Sequence, residues 1–374
     1  MQVQLEAPYA PWLTALGRFQ AKIGPEAEVL RLKDEFGKKP IGSGPFQFVS
    51  WEPNKQIRLK QFPGYYAGDA YLDGVEYAIY PGVGIDQILS DFRDGKLEEM
   101  GVTGQIRQEL PKEKGLQWFH RPSLSLMFYG LRVNKPLLDN PAFRRALSMA
   151  IDREKLISQV YEGQLEPARS ILPPGMPGFN TENQLLTDDF ATAHAIIRPI
   201  IENQKESISS IEIVSNSKSA FAQAELNLLR DAWADLGIDL KIKYITDWSQ
   251  FEAYLQSDAV QLYRYAWFAD MPDPDSFLYS LFASESPANL MDFNDQKVDE
   301  MLLSARGEVD PVKRIDLYRE IENRIMKASP LIPLVYLSVD RVYGPHVRGA
   351  QPSALGEDYM SLHRVWLETK ESTS

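Results

Sequence analysis

The chain has 374 residues, a length that predicts two or three lobes rather than one small domain. Its 52 acidic and 40 basic residues give a net charge of −12, which argues against binding to nucleic acid or anionic membranes, because phosphates need a positive surface. There is no cysteine, so disulfides, thiolate metal sites and cysteine nucleophiles are excluded.

The first third of the chain is predicted to be rich in strands. Alternating apolar residues between Gly- and Pro-rich turns are typical of β-strands, and an amphipathic period closed by Gly95 is typical of a helix. In chain order we predict a short strand that begins at Val3, a helix over 26–35, strands over 46–51, 57–62 and 75–81, and a helix over 85–97.

The rest of the chain alternates helices with strands. The apolar run over 124–134 predicts a buried strand. We then predict one helix over 139–163, a loop over 172–180, a strand over 207–217, a long helix that stops at Gly237, a strand up to 245, a capped helix from 310 and a strand over 331–337. The order strand, helix, strand implies a crossover unit within a parallel or mixed sheet.

No motif in the chain indicates an enzyme. The four histidines, His120, His194, His346 and His363, are too far apart in sequence to form a local metal or base motif. No G-x-S-x-G, P-loop or dinucleotide-binding fingerprint is present, and the segment GSGPF over 42–46 leads into a strand, so it predicts a turn. We therefore expect a protein without catalysis, cofactor or resident metal.

The stretch AWFADMPDPDSFL over 266–278 concentrates aromatic residues, aspartates and prolines. Its two prolines exclude a continuous helix or a central strand, so an ordered loop is expected. A calcium loop does not fit, because the alternate positions after Asp270 are prolines. One of Asp273 and Asp275 is expected to cap a short helix. Asp270 follows an apolar strand, so its carboxylate needs a cation, either an internal Arg or Lys or the ammonium of a ligand.

Several segments of the chain resemble one family, the extracellular solute-binding proteins of bacterial ABC importers for dipeptides, oligopeptides or nickel. The matching segments run in the family's order from about residue 36 to 337. They are PIGSGPFQFVSW, LRVNKPLLDNPAFRRALSMAIDREKLISQVYEGQ, LPPGMPGFN, LRDAWADLGIDLKIKYITDW, YRYAWFADMPDPDSFL and DPVKRIDLYREIENRIMKASPLIPL.

The resemblance implies an α/β fold of the bilobed, clamshell type found in periplasmic binding proteins, of type II and the peptide-binder subclass. Residues 1–131 and 341–374 would form the remaining first lobe, and 132–340 the second lobe. Relative to the family the chain is expected to be N-terminally incomplete, without the initial segment and the small extra domain.

The resemblance also implies roles for individual residues. In peptide-binding members, an aspartate at the position of Asp270 pairs with the α-ammonium of the ligand. Trp267 and Phe268 would shield that pair from water. Arg264 matches an arginine that meets the ligand carboxylate in some members, and its alternative role is an ion pair within one lobe. Tyr129 is a candidate hinge or cleft residue, although packing in the core is the favoured explanation for it.

The function implied by the resemblance is capture of short peptides for the membrane permease of an ABC importer, in the periplasm or outside the cell. The sequence contains no run of about 18 apolar residues, so no membrane span is predicted, and no signal peptide is recognised in these residues. A lipid anchor in the full-length form is compatible with this function. The alternatives are a ligand-sensing module of a regulator, or a binder of a nickel chelate, haem or an oligosaccharide within the same family.

Overall fold

The computed structural model describes residues 3–81, 84–102, 104–110, 114–180, 186–203, 210–356 and 359–368. The chain divides into two compact units, which are considered one at a time. Unit 1 comprises Met1–Ala15 and Pro122–Ser338, and unit 2 comprises Leu16–Arg121 and Val339–Ser374. The assignment of residues to the two lobes of a clamshell stays a prediction.

The helices and strands of the described residues follow the predicted order closely. The helices are α1 (Trp12–Ala15), α2 (Glu26–Leu32), α3 (Ile85–Arg93), α4 (Gly104–Glu109), α5 (Pro141–Met149), α6 (Arg153–Val160), α7 (Phe190–Glu202), α8 (Ala220–Ala234), α9 (Trp248–Leu255), α10 (Asp275–Phe282), α11 (Gln296–Gly307) and α12 (Pro311–Ala328). The strands are β1 (Phe46–Glu52), β2 (Gln56–Gln61), β3 (Gly74–Ala78), β4 (Glu99–Gly101), β5 (Gln117–Pro122), β6 (Ser125–Leu131), β7 (Glu166–Pro167), β8 (Ser210–Ser215), β9 (Asp239–Tyr244), β10 (Leu262–Phe268), β11 (Leu331–Tyr336), β12 (Ser338–Tyr343), β13 (Val347–Arg348) and β14 (Trp366–Leu367).

Unit 1 is built on a mixed sheet of six strands in the order β7-β11-β6-β10-β8-β9. Strand β8 pairs in parallel with β9 and β10, and the other neighbours are antiparallel. The predicted crossover unit is confirmed, because α8 connects the parallel strands β8 and β9. Gly237 ends this connection with φ of 81°, a left-handed conformation that glycine adopts without strain.

The pairing of β6 with β10 decides which side chains share a face of this sheet. Arg264 lies opposite Tyr129, and Tyr263 lies opposite Gly130. Since side chains alternate along a strand, these two pairs lie on opposite faces. The Tyr129 face packs against the core formed with α5, α6 and α8. On the other face the phenol ring of Tyr263 lies so close to Gly130 that any side chain there would overlap with it.

Unit 2 contains two three-stranded sheets and a short two-stranded one. The first has the order β1-β2-β3 with antiparallel pairs, and the second has the order β4-β12-β5. The second sheet carries a small apolar cluster that includes Leu89, Met100 and Val342. Strands β13 and β14 pair antiparallel.

Two predicted elements are wrong. The predicted helix over 139–163 is two helices, because the side chain of Asp152 accepts a hydrogen bond of 2.8 Å from the backbone N–H of Lys155 and starts a new helix. The strand predicted at Val3 is absent among the described residues 3–11. Val3 and Leu5 are exposed there, and Pro8 has no N–H to donate to a neighbouring strand. The predicted strand over 207–217 is confirmed as β8, with 207–209 outside the described residues.

Helix α12 carries a buried carboxyl group at Glu322. Its side chain is only 1% exposed, and its Oε1 accepts hydrogen bonds of 2.8 Å from the backbone N–H groups of Ile171 and Leu172. Burial raises the pKa of Glu322 to about 7, although the two backbone donors lower it. The protonation state of Glu322, which contacts Leu172 at the start of the predicted loop over 172–180, should therefore change as the pH passes about 7.

We expect this carboxyl group to destabilise the folded protein as the pH rises. Below its ordinary pKa of 4.5 Glu322 is protonated in both states, and between 4.5 and about 7 only the unfolded state loses the proton. Relative to the parent, Glu322→Gln should therefore gain about 2 to 3 kcal/mol in unfolding free energy between pH 5 and pH 8. Urea unfolding at both pH values measures this difference. Glu320→Gln, at an exposed site on the same helix, is the control, and its unfolding free energy relative to the parent should not change with pH.

Candidate ligand-binding site

The loop that follows β10 lies between a strand end and a helix start. The backbone N–H of Ala269 donates to the carbonyl of Leu124 over 2.8 Å, which extends the pairing with the β6 side by one residue. Pro272 and Pro274 stop further strand or helix, and α10 begins at Asp275. Asp270, Asp273 and Asp275 are thus carried by one short, ordered segment.

Two of the three aspartates anchor this loop to neighbouring helices. Asp273 accepts two hydrogen bonds from Arg314, of 2.7 and 2.8 Å, and Asp275 accepts two from Arg306, of 2.7 and 2.9 Å. Both carboxylates are buried, at 5% and 2% exposure. Asp273 also accepts the backbone N–H of Asp275 over 3.0 Å, which is a local turn contact. The N-cap of α10 is Pro274 and no side chain caps this helix, so the prediction that Asp273 or Asp275 caps it is wrong. These bidentate pairs hold the loop in one conformation.

Asp270 has a different environment. It is partly buried, and its Oδ1 accepts a hydrogen bond of 3.0 Å from the hydroxyl of Ser276. The indole N–H of Trp267 donates to the backbone carbonyl of the same serine over 2.7 Å. Ser276 therefore fixes both the carboxylate and the aromatic ring. Ser276 was not predicted from the sequence, although a hydroxyl in the first turn of the helix that follows Asp270 is a usable signal.

Arg264 lies in a buried network on the other face of the sheet from Trp267. Its guanidinium makes two hydrogen bonds with Glu225 of α8, of 2.8 and 2.9 Å. Tyr129 donates its hydroxyl to Glu225 over 2.9 Å, and Tyr161 donates to the second oxygen. The arrangement is an ion pair within unit 1, which corresponds to the alternative role expected for Arg264. Glu225 and Tyr161 were not predicted from the sequence, because they lie in a helix and a loop that are far from Arg264 in sequence.

The electrostatics of this network favour a permanent charge pair. Burial lowers the pKa of Arg264, but the charge and hydrogen bonds of Glu225 outweigh it and raise the pKa above its ordinary value. Burial also raises the pKa of Tyr129 and Tyr161, and the charge of Glu225 raises it further. Both hydroxyls therefore remain protonated donors to the carboxylate.

The structure thus brings the predicted site residues together in two groups. Asp270 and Trp267 are joined through Ser276, whereas Arg264 and Tyr129 are joined through Glu225. Phe268 points away from the Trp267 face and is 58% exposed. A ligand contact of Arg264, Phe268 or Tyr129 stays a prediction.

A cavity of about 480 Å³ lies beside Trp267 in unit 1. Its walls come from β6, β10, α9 and the segment around α10, and four aromatic rings line it: Phe128, Tyr263, Tyr265 and Trp267. Within the described ranges, no group of three or more His, Asp or Glu residues is arranged to hold a metal ion. Nor do those ranges contain a helix long and apolar enough to cross a membrane.

The fold resembles that of peptide-binding periplasmic proteins. The ABC transporter-associated periplasmic binding protein DppA from Helicobacter pylori, solved in complex with peptide STSA, superposes with a TM-score of 0.83 at 24% identity, over 98% of this chain and 72% of that chain. The dipeptide-binding protein of Escherichia coli is 24% identical over 371 residues, which are 96% of this chain and 68% of that protein. The glutathione-binding protein GsiB of Salmonella choleraesuis is 26% identical over 358 residues, which are 92% of this chain and 68% of that protein.

The fold of this chain is therefore the mixed α/β fold of the peptide-binding periplasmic binding proteins. The model of the bacterial extracellular solute-binding proteins, family 5 Middle, matches residues 1–289. The chain belongs to this family, as the sequence resemblance predicted. The family and the relatives named above are binding proteins, and the Helicobacter pylori protein is associated with an ABC transporter.

Proposed function

We propose that this protein captures short peptides outside the cytoplasmic membrane and delivers them to the permease of an ABC importer. In this proposal the carboxylate of Asp270 binds the α-ammonium of the peptide, and Trp267 forms a wall beside it. The names of two relatives, a dipeptide-binding and a glutathione-binding protein, support a peptide-like solute.

The observation that carries this proposal is the placement of Asp270. Its carboxylate lies at the end of a central strand, is partly buried, and is oriented by Ser276 within a loop that two bidentate ion pairs hold in place. A carboxylate with restricted motion and reduced solvation loses little entropy when it binds a cation, so a charge-assisted hydrogen bond there is strong.

Arg264 has a supporting role in this proposal. Glu225 already neutralises the charge of Arg264 through two hydrogen bonds, and Arg264 is only 9% exposed, so its guanidinium is a weak partner for a ligand carboxylate. We therefore assign Arg264 and Tyr129 to the packing of unit 1, and we assign the exposed ring of Phe268 to contact with bound ligand.

We expect binding to depend on a free amino terminus. Calorimetric titration with alanine di- to pentapeptides should give saturable binding, and N-acetylation should weaken it by about 100-fold, since the charge-assisted hydrogen bond between the peptide ammonium and Asp270 would be lost. Amidation of the C-terminus is the matched control, because it removes the opposite charge from the same peptide. Equal affinity for free and acetylated peptides would contradict the role of Asp270.

A further inference from the structure

The cavity beside Trp267 has a mainly aromatic and aliphatic lining. Its 480 Å³ are ample for a large side chain, and the rings of Tyr263 and Tyr265 continue the wall that Trp267 begins. Tyr265 in turn packs against Phe251, with ring centroids 6.4 Å apart and planes 11° from parallel. The wall is therefore a continuous, well-packed aromatic surface rather than a set of separate rings.

The cavity also has a net negative charge. Of the described residues that line it, Glu252 is the only charged one, and Gln256 adds a neutral amide one turn further along α9. Glu252 is exposed to solvent. Burial raises the pKa of Tyr265, and Glu252 lies close enough for its charge to raise that pKa further. Aromatic faces and a single carboxylate are the combination that attracts an alkyl chain ending in a cation.

The position of the cavity relative to Asp270 indicates which part of a peptide would enter it. Trp267 precedes Asp270 by three residues, a separation of at most about 10 Å in extended chain. An extended ligand advances by about the same rise per residue. Because Trp267 and Asp270 share Ser276 as a hydrogen-bond partner, the second or third side chain of a peptide whose ammonium lies at Asp270 would come beside Trp267.

We propose that this cavity selects a lysine or arginine side chain at the second or third residue of the bound peptide, with Glu252 as the specificity-determining residue. This inference rests on the proposed function and extends it from peptides in general to a class of peptides. The aromatic rings contact the alkyl stem and the cation, and Glu252 supplies the opposite charge at the mouth.

The test uses tetra-alanine with lysine, norleucine or glutamate placed at each position in turn. Norleucine has the length of lysine without its charge, so the ratio of the two dissociation constants isolates the cation. We expect lysine at position two or three to bind about 10-fold more tightly than norleucine, and glutamate about 10-fold more weakly. The preference should decrease with added salt, since Glu252 is exposed.

Glu252→Gln should reduce the lysine preference to about threefold or less, leaving the aromatic contribution. Glu320→Gln, an exposed substitution on α12 that lies outside the cavity lining, should leave the preference unchanged. Equal affinities for lysine and norleucine at every position, or a preference that persists in Glu252→Gln, would overturn the inference while peptide binding itself stands. Absence of binding by every peptide would overturn the proposed function and this inference together.

Discussion

Replacing Asp270 with Asn is expected to weaken the binding of free peptides by about 100-fold. Asparagine keeps the shape of the side chain and the oxygen that accepts from Ser276, so the loop should retain its conformation. What is lost is the negative charge for the peptide ammonium. Calorimetric titration of the parent and variant with the same alanine peptide measures the effect.

The matched control for this prediction is Asp239→Asn. Asp239 is an exposed aspartate at the start of β9 in the same unit, and its substitution should leave peptide affinity unchanged. N-acetylated peptide should bind the parent and Asp270→Asn with similar, weak affinity, because the two changes remove the same contact. Undiminished binding of free peptide by Asp270→Asn would refute the ammonium assignment.

Replacing Glu225 with Gln is expected to produce the largest loss of stability, about 3 to 5 kcal/mol. The substitution leaves the guanidinium of Arg264 buried without its counter-charge, in a site where both residues are at most 9% exposed. The unfolding free energy from urea titration at neutral pH measures this loss.

The double variant Glu225→Gln, Arg264→Gln distinguishes a lost charge pair from a lost hydrogen bond. Because it removes both charges and keeps polar side chains of similar length, it should recover a substantial part of the stability that Glu225→Gln loses. A loss in the double variant as large as the sum of the two single losses would argue against a coupled pair.

The same variants test the remaining role of Arg264. If Arg264 only stabilises unit 1, the double variant should bind free and C-terminally amidated peptides with the same ratio as the parent. A ratio that falls to one in the double variant alone would show that Arg264 reaches the ligand carboxylate, as the sequence resemblance allows.

Local signals in the sequence were sufficient to predict most of the helices and strands of unit 1. Asn140 with Pro141, and Asp310 with Pro311, start α5 and α12 as predicted, because a capping side chain and a pre-set φ act within a few residues. The same kind of signal was overlooked at Asp152, where a capping aspartate divides one predicted helix into two. Apolar periodicity alone therefore does not reveal a helix break that a capping side chain makes.

The loop over 266–278 illustrates the limit of local reasoning. The sequence alone determined that the segment is a loop, that it follows a strand and that its aspartates need partners, since these depend on proline geometry and on the cost of burying charge. Its resemblance to one family was enough to single out Asp270.

Only the tertiary structure decided how the charges are distributed. Asp273 and Asp275 find their arginines more than 30 residues away, and Arg264 finds Glu225 at a separation of 39 residues. The strand register places Arg264 and Trp267 on opposite faces, so residues three apart in sequence enter different environments. Partner identity depends on how helices pack on the sheet, and no short-range pattern in the sequence carries that information.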